Sequence, residues 1–248
     1  MSRSTICRIL HRDAIKPWQH ESWIFPCDPD FGAKAGVLDL YAERWQGRPL
    51  RAGDVVLSSD EKTSIQARRR RHAETPPQPG QPRRVEHTYD RMGALQYLAA
   101  WDVRRGTVVG RCEAKTGLAP FGRLLAQVLA MPVYQAAKRI FVVVDNGSSH
   151  RGAAAVERAA KQDARIVRVH LPVHASWRNQ LEVYFSLVQR KVLTPNDYPD
   201  LDALRTRLAL YEELTNRTPK PFAWNFTRQK LREWLQRTRP HLGSPLGD

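Results

Sequence analysis

Three acidic side chains stand where chemistry is expected of them. "RIFVVVDNGSSH" (139–150) runs five apolar residues, Ile140 to Val144, directly into Asp145. "DVVLSSDEK" (54–62) ends in the same way at Asp60, and Glu182 lies within "LPVHASWRNQLEVYFSLVQRK" (171–191). The apolar runs read as buried strands, and the last stretch reads as a helix from about 176 to 192 that begins some one and a half turns before Glu182. Two carboxylates at the C-terminal ends of strands and a third on a helix gather at the edge where α/β sheets bind ligands. Brought together they repel unless a cation lies between them. Hard divalent cations take such oxygen donors, and a pair of Mg²⁺ or Mn²⁺ ions held this way serves phosphoryl transfer. Other readings stay open at each position. Asp145-Asn146-Gly147 is also turn chemistry, Glu182 also suits a solvated helix face, and Glu61 or Asp54 could stand in for Asp60.

The elements that must position these acids follow from the pattern around them. After strands at 54–59, 95–102 and 106–112 come a helix at 117–131, the strand 139–144 and a helix near 151–163. A strand at 165–171, the helix carrying Glu182 and helices near 200–216 and 227–237 complete the chain, with one more helix at 33–46 ahead of the first strand. Three sequential strands followed by alternating helices and strands predict an α/β fold, a mixed five-stranded sheet flanked by helices. Upstream, residues 2–12 predict a short amphipathic helix capped by Ser2 or Ser4, with Ile6, Ile9 and Leu10 on one face and nothing to pack against. Residues 13–35, rich in proline and aromatics, read as a linker. The expected division is therefore residues 1–35 and a catalytic-type domain at 36–248.

Charge points to the partner. The chain carries 40 Lys+Arg against 25 Asp+Glu, a net +15 over 248 residues, and 42% hydrophobic content suffices for a real core. Such a balance favours polyanions, chiefly nucleic acid. No stretch approaches a membrane span and the N-terminus lacks a signal-like apolar run, so a cytoplasmic protein without membrane association is expected. Cys7, Cys27 and Cys112 are too scattered for a disulfide frame or a cysteine zinc site. Residues 66–93, "QARRRRHAETPPQPGQPRRVEHTYDRMG", form an Arg/Pro-rich insertion between the first two strands. It reads either as a solvated loop or as an arm whose Arg68, Arg69, Arg70, Arg71, Arg83 and Arg84 grip DNA phosphates.

The motifs "LSSDEKTSIQARRR", "VVVDNGSSHRG" and "LPVHASWRNQLEVYFSLVQRKVL" resemble the three acidic blocks of insertion sequence 630 family transposases, bacterial relatives of the mariner group. The resemblance runs from about residue 36 to 237 and includes "AAWDVRRGTVVGRC" and "NRTPKPFAWNFT". Thirty-six residues separate Asp145 from Glu182, close to the family's mid-thirties spacing. It implies an RNase H-like domain with Asp60, Asp145 and Glu182 as the catalytic, metal-binding triad. It also implies cut-and-paste transposition of double-stranded DNA: cleavage at transposon ends, then attack of the freed 3′-OH on a target, typically at TA. Transposases of this kind commonly act as dimers. "SRSTICRILHRDAIKP" resembles only the last helix of the helix-turn-helix region that precedes this domain in full members, so recognition of specific ends is in question.

Around the triad, chemistry suggests further roles. Asn146, His150 and Asn179 are candidates to orient carboxylates or bound water. Ser176 suits the N-cap of the Glu182 helix. Trp177 is a candidate base-stacking platform, and Arg190 and Lys191, near Gln189, are candidate phosphate contacts. His174 reads as a structural hydrogen bonder ahead of a ligand or base, and Gln180 is placed off the Glu182 face. Two rival classes remain: a non-catalytic DNA-binding remnant that regulates a full-length transposase, and a ribonuclease H or junction resolvase on the same fold.

Overall fold

The structure, a computed structural model, describes residues 2–12, 36–145, 150–171 and 178–238. At the N-terminus α1 (Arg3–Arg12) is capped by Ser2, whose Oγ accepts from the Thr5 N–H at 3.2 Å. Ile6, Ile9 and Leu10 on its apolar face are exposed. The next helix is shorter than its pattern predicts: α2 (Gly36–Tyr41) buries Val37, Leu38 and Leu40 and then stops. Gln46-Gly47, with φ of 49° and 78°, instead turn a small hairpin, β1 (Arg44–Trp45) and β2 (Arg48–Pro49). Two successive positive φ values are those of a tight hairpin turn, which overrides the local helical spacing.

The main sheet follows. Its strands are β3 (Asp54–Arg70), β4 (Tyr89–Asp102), β5 (Thr107–Glu113), β6 (Arg139–Val144) and β7 (Ile166–His170), in the order β5-β4-β3-β6-β7. The β5-β4-β3 half is antiparallel, whereas β3-β6 and β6-β7 are parallel. Between β5 and β6 lie α3 (Leu118–Leu129) and α4 (Pro132–Gln135), and α5 (His150–Gln162) crosses over to β7. The chain ends in α6 (Leu181–Lys191), α7 (Leu201–Arg217) and α8 (Arg228–Thr238). This is the expected mixed, five-stranded α/β architecture.

The Arg/Pro-rich insertion is not a plain loop. β3 and β4 run past the sheet as a two-stranded ribbon that takes in residues 66–70 and 89–93. Its arginines, polar in sequence, act as strand residues through local pairing. The Arg68 guanidinium sits 4.5 Å from the Tyr89 ring centre, and Arg69 and Arg71 both pair with Asp90. Period-2 hydrophobicity cannot announce a strand held by such contacts.

Both faces of the sheet are covered, which is why its central strands read as continuous apolar runs. Val55 and Leu57, with Ile140, Val142 and Val144, face α3 and α5. Val56, Phe141 and Val143 face the opposite core, built with Leu181, Tyr184 and Phe185 of α6 and with Leu204 and Leu231. At the start of β3, Asp54 is fully buried and clamped by the Arg139 guanidinium and the Arg51 N–H. The Arg139 hydrogen bonds hold its carboxyl below the usual carboxylate range. Asp54→Asn is expected to cost about 3 kcal/mol of stability near neutral pH, since it leaves a guanidinium facing a buried neutral amide. A depressed pKa stabilises only above the unfolded value, so the deficit should shrink as pH falls below about 4, as paired urea titrations at pH 7 and pH 3 would show.

Candidate active site

The parallel register sets the two aspartates. β3 and β6 pair from Asp54↔Arg139 to Ser58↔Val143, so two residues further along each strand stand Asp60 and Asp145. Alternation places both on the face of Val56, Phe141 and Val143, under α6. Paired strands lie about 4.8 Å apart, so the two carboxylates share one face at the end of the paired stretch, close enough for Asp145 to act on Asp60. Asp60 does not end its strand, as its sequence suggested. β3 continues to Arg70, and what ends near Asp60 is its pairing with β6. Beyond that point β3 keeps only β4 as a partner strand, and the sheet opens on the site.

Asn179 ties the third acid to this pair. Its Oδ1 accepts a short hydrogen bond from Ser58 Oγ and another from the Leu181 N–H at 3.1 Å. Its Nδ2 donates to Ser59 O at 3.2 Å and to Asp60 Oδ2 at 3.3 Å. One fully buried amide thus caps the first turn of α6, stitches it to β3 and orients the Asp60 carboxylate. The helix starts at Leu181, five residues later than the position of Ser176 suggested, so Glu182 lies in its first turn. Gln180 occupies the cap position without a side-chain cap bond, because Asn179 has taken that function.

Asp60 and Glu182 are raised by burial first and by neighbouring acidic charge next. Burial pushes the Asp60 carboxyl up to about 7, and Glu182 and Asp145 push it further, against a Glu61 N–H that donates to Asp60 Oδ1 at 2.8 Å. Glu182 is exposed at its rim, yet the surrounding protein raises its pKa, with Lys62 opposing and Asp145 adding to the rise. Asp145 Oδ1 is buried with no hydrogen-bond partner among the described residues. Among those residues no three acidic, His or Cys side chains are drawn into a ready-made metal cage. The donors nonetheless suit a hard divalent cation: all are carboxylate oxygens, one is buried without a donor, and each of the other two is raised by a neighbouring acid.

Of the candidate orienting residues, Asn179 is the one whose side chain is described, and it contacts an acid. His150 opens α5, whereas Asn146, His174, Ser176 and Trp177 lie outside the described residues. Five of the six proposed phosphate-gripping arginines have side-chain partners within the protein. Arg69 and Arg71 hold Asp90, Arg83 holds Glu74, and Arg70 donates to Glu86 O at 2.6 Å and Asn196 O at 3.0 Å. Arg68 stacks on Tyr89, and Arg84 is exposed and pairs through its backbone with Thr75. Arg190 and Lys191 are exposed in the last turn of α6.

Several contributors were not legible. Tyr41 donates to Arg178 O at 3.0 Å and lies 3.3 Å from Ser58 Oγ, its hydroxyl pushed up to about 12 by burial. Arg178 is fully buried with its guanidinium over Phe226, and burial lowers its pKa to about 10. An Arg inside "SWRNQLE" gave no sign of burial, because charged residues are almost never fully buried.

Side-by-side aspartates on the two central strands, faced by a glutamate on the helix above, are the layout of an RNase H-like nuclease domain. The DDE superfamily endonuclease family model matches residues 55–205, and the chain belongs to that family. Solved structures share the fold. They include the Mos1 mariner paired end complex with Mn, at TM-score 0.54 and 16% identity over 98% of this chain and 72% of that one. A pre-cleavage Mos1 transpososome gives 0.53 and 13% over 99% and 72%, and the Mos1 paired end complex with Mg gives 0.52 and 13% over 100% and 72%. No curated protein matches the sequence significantly.

Proposed function

We propose that the chain is a transposase that cleaves one strand of double-stranded DNA and joins the freed 3′-OH to a target strand, typically at TA. The observation that carries this reading is the register of β3 and β6, which sets Asp60 beside Asp145 on the face where α6 presents Glu182. These three side chains would hold Mg²⁺ or Mn²⁺, as a pair of ions. Bound there, the cations would supply Lewis-acid stabilisation of the attacking and leaving oxygens. The protein's own part is positional. Asn179 fixes Asp60 Oδ2 and the start of α6, and the buried β6 strand presents Asp145 on a rigid base. The Mos1 neighbours, paired end complexes with Mn and Mg and a pre-cleavage transpososome, support DNA ends as substrate and a divalent metal as cofactor. Placement among insertion sequence 630 transposases rests on the acidic blocks quoted above, and action as a homodimer across paired ends follows from that placement.

The test is nicking of supercoiled plasmid with Mn²⁺ or Mg²⁺ by wild type and Asp145→Ala. Wild type should nick only with metal, and the variant should lose at least about 10³-fold, as expected when a metal-binding carboxylate is removed. Equal DNA binding by both proteins with no nicking by either would favour a non-catalytic, DNA-binding regulator. Preference for an RNA–DNA hybrid over duplex DNA would move the reading to a ribonuclease H.

A further inference from the structure

Two asparagines bracket an open stretch of β3 next to the acids. On one side Asn179 Nδ2 takes Ser59 O, and on the other Asn196 Nδ2 takes Gln66 O at 2.7 Å while its Oδ1 accepts from the Arg68 N–H at 3.1 Å. Tyr198 continues this cover by donating its N–H to Arg68 O. Between the brackets β3 has left β6 and carries a bulge. Lys62 pairs with Tyr97 and Ile65 with Leu95, so β3 spends one extra residue here. Ser64 takes φ 55°, an uncommon conformation for a residue with a Cβ, and its N–H donates to Gln96 Oε1 at 2.8 Å. Strain of this kind persists only when its surroundings fix it, and it concentrates at ligand sites.

The bulge opens a groove of about 250 Å³ lined chiefly by Lys62, Thr63, Ser64, Gln66, Arg68 and Gln189. Gln189 lies seven residues after Glu182, on the same stripe of α6, so the groove continues from the acidic cluster along one helix face. No aromatic ring lines it. While arginines of the ribbon are engaged with Asp90, Glu74 and backbone carbonyls, the Lys62 side chain makes no hydrogen bond or close ion pair among the described residues. Its charge reaches Glu182. A polar groove with a half-buried, uncommitted ammonium suits one singly charged phosphodiester and its sugar, not a base and not a duplex.

We propose that this bracketed edge of β3 is a binding subsite for the sugar–phosphate unit adjoining the scissile phosphate, with Lys62 as the residue that positions it. The subsite deepens the proposed function and rests on it. Lys62 gives it a charge contact, the bulge gives it room, and Gln189 and Gln66 offer amide groups along its walls.

The experiment is a chemical double-mutant cycle. The nick made by wild type is mapped on a duplex oligonucleotide, and the phosphates on either side are replaced singly by neutral methylphosphonates. Lys62→Gln should slow nicking by roughly 10–100-fold, the range for losing one charge-assisted contact. One methylphosphonate should slow wild type to a similar degree yet slow Lys62→Gln by less than about 3-fold, and Lys62→Arg should recover part of the rate. The thermal shift on adding Mn²⁺ should match wild type, which separates phosphate positioning from loss of the acidic site. Additive effects of the variant and every methylphosphonate, or an unaltered rate in Lys62→Gln, would overturn the subsite while leaving the nuclease reading intact. If wild type binds the duplex without nicking it, the nuclease reading falls, and the same cycle read by fluorescence anisotropy in Ca²⁺ decides the subsite. Absence of both binding and nicking overturns both.

Discussion

Asp60→Asn should abolish metal-dependent nicking, by at least about 10³-fold, and at the same time make the metal-free protein more stable at pH 8. Both effects have one cause. Asp60 is largely buried beside two other acids, and its carboxyl is pushed up to about 7 by burial first and by Glu182 and Asp145 next. An acid whose folded pKa exceeds its unfolded value of about 3.9 penalises the folded state when ionised. Its stability contribution is therefore intact below about pH 4 and is lost as pH rises through about 7. Three pH units correspond to at most about 4 kcal/mol, and partial solvent access reduces this to roughly 2 kcal/mol. For a chain of this size that is about 4–8 °C in Tm at pH 8, falling to roughly a third of that at pH 5. Adding Mn²⁺ should raise the Tm of wild type by mass action and leave Asp60→Asn almost unmoved. Scanning calorimetry of both proteins at pH 5 and pH 8, with and without metal, checks all four values. A variant less stable than wild type at pH 8 would mean that Asp60 is not under electrostatic strain.

Removal of the Asn179 amide is the second large effect. Asn179→Ala strands the Leu181 N–H, removes a partner from Ser59 O, leaves Ser58 Oγ only its Tyr41 contact in a buried site, and frees the Asp60 carboxylate to rotate. Each buried polar group left unpaired costs about 1–3 kcal/mol, and relaxation holds the total to roughly 3–4 kcal/mol. Nicking should fall about 10–100-fold in the fraction that remains folded, as expected on loss of a partner that orients a metal-binding carboxylate. Asn179→Asp separates the two roles. It keeps acceptors for Ser58 and Leu181 but loses both donors and sets a further carboxylate against Asp60. Denaturant titration should then show a smaller stability loss than for Ala, while nicking falls at least as far. Equal nicking by Asn179→Asp and wild type would confine Asn179 to a structural role.

The sequence by itself showed the order of the main-sheet strands and their flanking helices, and the candidate acids. Five apolar residues running into Asp145, and Val55 to Leu57 ahead of Asp60, read as strands because strands buried on both faces are largely apolar along their length. The Glu182 helix was readable from its 3.6-residue period, but not its start. Ser176 offered a local cap, and the structure begins the helix at Leu181 because Asn179 reaches across to Ser58, a contact 121 residues away in sequence. Length misled in the same way at β3. An arginine-rich run shows no alternation, yet pairing with Tyr89 and Asp90 continues the strand to Arg70. The bulge at Ser64, the burial of Arg178 and the Tyr41 contact also belong to tertiary structure alone. Local sequence sets which side chain each position offers and which period it follows. Which cation stays uncommitted, and where a strand parts from its neighbour, depend on partners that only the folded chain brings within reach.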